Sequence, residues 1–210
     1  IARLGSSPMV ALGVGTTILS GIFWAFNFLG IGSQTEVAQR LGQGDRSLAA
    51  AISTLALLLG LVLGLLLIGL GLPFIPWAVK AMGATGEVFD LAVRYMRIRV
   101  FGAPAVLLSL AAFGVLRGLQ NMRTPLKIAV GVNVLNILLD PLLIFGWGPV
   151  PALGITGAAL ASVVSQWLGA LWAVMVMHAT LGFNRRMQGR DILRLFHIGG
   201  DLFLRTGFLT

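Results

Sequence analysis

Residues 131–146, GVNVLNILLDPLLIFG, are apolar enough to cross a membrane, yet they carry Asn133, Asn136 and Asp140, followed by Pro141. Residues three and four apart share one face of an α-helix, so the three polar side chains form a single stripe. Asp140 is the only formally charged residue between Lys127 and Arg185. A carboxylate at the centre of a bilayer costs about 2.5–3.5 kcal/mol on insertion scales, so this one is expected to face a partner, a cavity or a cation. Pro141 lacks an N–H and leaves the carbonyl of Ile137 without its helical donor, a local bend point. A carboxylate, an amide oxygen and a freed carbonyl within two turns suit a hard cation or a proton. The plainer alternative is a hydrogen bond that only packs two helices together. Acids buried in membranes are more often functional.

Composition points the same way. Of 210 residues, 57% are hydrophobic and 10% are charged, which excludes an ordinary soluble domain. The uncharged runs 4–35 and 47–79 are each long enough to span a hydrocarbon core, which takes about 20 helical residues. The net charge of +8 would suggest nucleic acid in a soluble protein. Here the basic residues sit in gaps between apolar runs, the pattern that orients membrane proteins, so no nucleic-acid partner is expected. With no cysteine, disulfides, thiolate metal sites and cysteine nucleophiles are excluded. The first apolar run is too long for a cleavable signal peptide. The chain opens on Ile1 and stops at Thr210 within an apolar stretch, and is read as part of something longer.

The fold predicted is an all-α polytopic bundle with spans at about 10–32, 48–70, 91–116, 126–146 and 154–176. Pro8 is expected to break a helix before the first of these. That span carries Thr16, Ser20, Trp24 and Asn27 near one face, either a cavity lining or a packing surface. A polar loop is expected over 32–47, with Glu36, Arg40, Asp45 and Arg46 pairing weakly in solvent. Residues 71–76 should end the next span, and 80–99 should form an amphipathic surface helix. In the last span Ser162, Ser165 and Gln166 share a face and are placed to meet Asp140 if the final two spans form a hairpin. Residues 185–202 read as a basic amphipathic linker on the membrane surface, and 203–210 as the start of a further span. The gaps after residues 32, 116 and 176 hold ten of the fifteen Lys and Arg residues, so they are expected to face the cytoplasm. His178 and His197 have no ligand partner at useful spacing. Trp24, Trp167 and Trp172 either pack or stack on an aromatic cation.

Four stretches in order resemble the multidrug and toxin extrusion (MATE) family, in its DinF-like branch. QTEVAQRLGQGD (34–45) is similar to the loop after its second helix, and RGLQNMRTP (117–125) to the turn after its fourth. Asn136-x-x-x-Asp140-Pro141 resembles its fifth helix and LGITGAALAS (153–162) its sixth. The resemblance implies most of the first six-helix lobe of a twelve-helix exporter, with residues 1–184 as that lobe and 203–210 opening the seventh helix. It implies export of drugs, toxins or other organic cations by alternating access, in exchange for Na⁺ or H⁺ and with no other cofactor. It also implies that Asn136 and Asp140 hold the coupling ion with a first-helix acid and a sixth-helix hydroxyl, Ser162 or alternatively Thr156. The acid has no counterpart in this chain. Asn133, Asn27, Ser20, Trp24 and Gln166 are candidate cavity-lining residues.

The expected setting is a bacterial or archaeal plasma membrane. Membrane lipids and small cationic or amphipathic substrates are the expected partners, and the intact protein is expected to be a monomer. A flippase for lipid-linked saccharides would instead need several arginines in the cleft, and none lies within the spans when the fourth is taken from Val100, without the segment 91–99. A membrane-embedded enzyme would need a second catalytic group at membrane depth. In a non-transporting scaffold the Asn–Asp–Pro stripe would only pack helices.

Overall fold

The computed structural model describes residues 5–147, 149 and 151–182. Both the basic linker at 185–202 and the apolar start at 203–210 lie outside the described residues, as do residues 1–4. Seven α-helices occupy the described part: α1 (Ser6–Ala25), α2 (Phe28–Gly42), α3 (Arg46–Ala81), α4 (Gly86–Arg99), α5 (Ala103–Gly118), α6 (Arg123–Phe145) and α7 (Ile155–Leu181). They combine into five stretches long and apolar enough to cross a membrane, because α1 runs into α2 and α4 into α5.

The boundaries differ from expectation wherever packing overrides a local signal. Pro8 does not break a helix. It sits in the first turn of α1, where a missing N–H costs nothing. The polar loop expected over 32–47 is mostly helix, since α2 continues to Gly42 and buries Leu29, Gly30, Ser33, Glu36 and Val37. These residues recur at helical spacing and face α5. Glu36 is only 5% exposed and lies 3.6 Å from Arg40, so this pair is packed against the bundle and not a solvated loop pair.

Residues 71–76 do not end α3, which passes Pro73 and Pro76 and stops at Ala81. Its last turns are held by Ile75 and Val79, buried in a cluster with Ala92, Tyr95 and Met96. The amphipathic segment over 80–99 is not a surface helix. α4 buries Ala92, Val93, Tyr95, Met96 and Arg99 and leaves Glu87, Asp90, Arg94 and Arg97 outside. A 3₁₀ turn, Val100–Gly102, then joins it to α5.

Two apolar clusters hold the bundle. One gathers Leu29, Val37, Ile52, Leu107, Val115, Ile128 and Met177 from α2, α3, α5, α6 and α7. The other joins α1, the end of α3, α4 and the start of α7. The α2–α5 seam is a backbone-to-backbone approach. A Cβ on Gly114 would lie 2.2 Å from the carbonyl oxygen of Gly30, so only glycine fits there. By contrast α6 buries only Ile128 and Ile144 and lies on the outside of α7.

Candidate ion site and adjoining groove

α6 and α7 form an antiparallel hairpin. At its turn the N–H of Leu153 donates to the carbonyl of Leu143 at 3.0 Å, and that of Gly154 to Ile144 at 3.1 Å. Gly157 brings the two backbones together, since a Cβ there would stand 2.3 Å from the carbonyl oxygen of Leu143.

This register sets Asn136 opposite Ser162, and the Asn136 amide donates to the Ser162 hydroxyl at 3.5 Å. Asp140 follows one turn later. Its Oδ1 is buried and accepts no hydrogen bond from any described group, and no described Lys or Arg pairs with it. α6 runs on through Pro141 to Phe145, so the proline frees the Ile137 carbonyl without ending the helix. Asn136, Asp140 and Ser162 therefore present a carboxylate, an amide oxygen and a hydroxyl from two adjacent helices. That donor set fits a hard monovalent cation or a proton. Among the described residues no three acidic, His or Cys side chains cluster as a metal site would require.

The other candidates separate. The Thr156 hydroxyl donates to the carbonyl of Leu153 at the start of α7, so of the two alternatives Ser162 is the hydroxyl that meets Asn136. For a cation held at this pair, Ser162→Ala is expected to weaken binding severalfold and Thr156→Ala to leave it unchanged; a cation titration of the full-length protein checks both. Ser165 does not reach Asp140, and its Oγ is buried without a partner. Asn133 is exposed and donates to the carbonyl of Ala129 at 2.8 Å. Asn133 and Gln166 do line one groove of about 260 Å³ between α5, α6 and α7, with Ser109, Phe113, Val132 and Gly169. Ser20, Trp24 and Asn27 are exposed on the α1–α2 arm, outside that groove and unpacked within this chain. Trp167 donates to the carbonyl of Phe101 at 3.0 Å, and Trp172 lies against Gly131.

One functional candidate went unread in the sequence. Arg99 is 8% exposed. Its Nη1 donates to Gln166 Oε1 at 2.8 Å and its Nε to the Tyr95 hydroxyl at 3.2 Å. The expectation that no arginine lies within a span therefore fails, although a single arginine is not the cluster a saccharide-lipid flippase would need. Its i, i+4 spacing from Tyr95 was the available signal, hidden by the neighbouring Arg94 and Arg97. Elsewhere, Arg117 Nε donates to Gln34 Oε1 at 3.0 Å, tying 34–45 to the turn at 117–125.

Five bilayer-length helical stretches, one of them carrying the Asp140 carboxylate in an otherwise uncharged run, define a polytopic α-helical membrane protein. More narrowly, the chain belongs to the MatE family, whose model matches residues 1–142. DNA damage-inducible protein F of Escherichia coli is 32% identical over 93% of this chain and 39% of its own length. The FAD transporter of Shewanella oneidensis is 35% identical over 81% of this chain and 38% of its own length. The multidrug export protein MepA of Staphylococcus aureus is 32% identical over 86% of this chain and 40% of its own length. The chain thus spans less than half the length of these relatives. Among solved structures, an outward-facing multidrug resistance MATE transporter matches with a TM-score of 0.85 at 28% identity, over 97% of this chain and 46% of that one. An inward-facing one matches at 0.84 and 28%, over 93% and 45%.

Proposed function

We propose that the full-length protein is a cation-coupled antiporter that exports organic cations, drugs or toxins across a plasma membrane by alternating access. In this reading the chain supplies the lobe that senses the coupling ion. The observation that carries it is the Asp140 carboxylate, half-buried in a membrane helix with no described basic partner, one turn from the Asn136–Ser162 pair. Binding H⁺ or Na⁺ removes most of that carboxylate's desolvation cost, and so changes which packing of α6 is preferred. Near-equal similarity to inward- and outward-facing relatives supports a lobe that moves largely as a unit. The groove lined by Phe113, Asn133 and Gln166 would take part of the cargo, an apolar wall with a few polar groups.

The test is uptake of a fluorescent organic cation into proteoliposomes holding the full-length protein, under separately imposed Na⁺ and pH gradients. Movement driven by one gradient and collapsed by its ionophore is the expected result. No movement under either gradient would overturn the proposal.

A further inference from the structure

We propose that Arg99 is an anion-recognition residue, reached from the α5–α6–α7 groove through Gln166, that selects cargo bearing a carboxylate. This rests on the transport reading above and narrows its substrate class. Gln166 lies two residues, about 3 Å along the helix, from the midpoint of the 27-residue α7 span, and the Arg99 guanidinium is bonded to its side chain. A guanidinium at that depth ordinarily pairs with an acid. Among the described residues, no carboxylate stands within ion-pair distance of Arg99. Both of its hydrogen-bond partners, Gln166 and Tyr95, are neutral. Arg94 and Arg97, exposed on the same helix, add charge of the same sign.

The geometry describes a place kept for an oxyanion. Gln166 lines the groove and also holds Arg99 Nη1 with its amide oxygen, so it stands between the guanidinium and anything in the groove. The space is provided by Gly102 in the 3₁₀ turn, where a Cβ would lie 2.4 Å from Gln166 Oε1 and 3.5 Å from Arg99 Nη1. A ligand carboxylate displaces one neutral amide oxygen and gains two charge-assisted, parallel N–H···O bonds, which a planar guanidinium fork provides. Displaced, the Gln166 amide remains in the groove as a hydrogen-bonding group.

The test uses two dyes differing only in that group: a rhodamine with a free benzoate and its methyl ester, both cationic on the xanthene ring. Their kcat/KM values are measured in proteoliposomes containing the full-length protein, unmodified or as Arg99→Gln and Arg99→Lys. The expected result is a free-acid-to-ester ratio of about tenfold or more in the unmodified protein, falling to about one in Arg99→Gln and to an intermediate value in Arg99→Lys. If the unmodified protein shows no preference, or Arg99→Gln slows both dyes equally, Arg99 is a structural residue and the proposal falls while the transport reading stands. If neither dye moves in the unmodified protein, the transport reading falls and this proposal with it.

Discussion

Replacing Asp140 with asparagine in the full-length protein is expected to drop gradient-driven export to the level of empty vesicles while the protein still inserts and folds. The two effects separate because of where the carboxylate sits. Its Oδ1 is buried without a hydrogen-bond partner, so the folded state gains little from it. Asparagine also replaces an ionisable carboxylate by a neutral amide, which is less costly to hold in hydrocarbon. Melting temperature in detergent should therefore hold or rise in Asp140→Asn. Transport should vanish, because an amide neither takes up a proton nor offsets the charge of Na⁺. Export that continues at the unmodified rate would remove Asp140 from the coupling mechanism. Lost export together with a collapsed melting temperature would make it a structural residue.

The second large effect is on stability. Gly114→Val is expected to abolish the folded protein, read as loss of a monodisperse peak and of a cooperative melting transition. Overpacking a core with flexible side chains for neighbours costs about 1–3 kcal/mol. Here the first obstacle is the backbone carbonyl of Gly30, 2.2 Å from where the new Cβ would lie, and backbone cannot step aside without parting α2 from α5. Gly69→Ala in α3 is the matched control. Nothing lies within 4 Å of a Cβ there, so melting should be unchanged or slightly higher. A folded, stable Gly114→Val protein would mean that the α2–α5 seam is not held by close backbone contact.

The sequence made the α6–α7 hairpin and its ion-site candidates legible for a plain reason. A polar side chain in an apolar run stands out against its neighbours, and Asn136, Asp140 and Ser162 are such cases. The ends of the helices were harder, because Pro73, Pro76 and the polar 34–45 stretch are stop signals only where no neighbouring helix holds the next turn. Ile75, Val79, Glu36 and Val37 are held in that way, and this depends on contacts between distant segments. Arg99 was missed for the opposite reason to Asp140. It follows Arg94 and Arg97, so its charge looked like one more residue placed by membrane orientation. Its place on the buried face of α4, at helical spacing from Ala92, Tyr95 and Met96, was the signal that those two outward charges obscured.

The sparse burial of α6 has a mechanical consequence. Among the described residues, four of the five bilayer-length stretches are braced against at least two others, but the one bearing the acid is seated mainly on a single neighbour and buries only Ile128 and Ile144. Within the described residues, swinging such an outrigger disturbs few contacts. A free-energy change of about 1–3 kcal/mol, typical of coupling between two sites, would then suffice to tilt it, while the rest of the frame stays rigid.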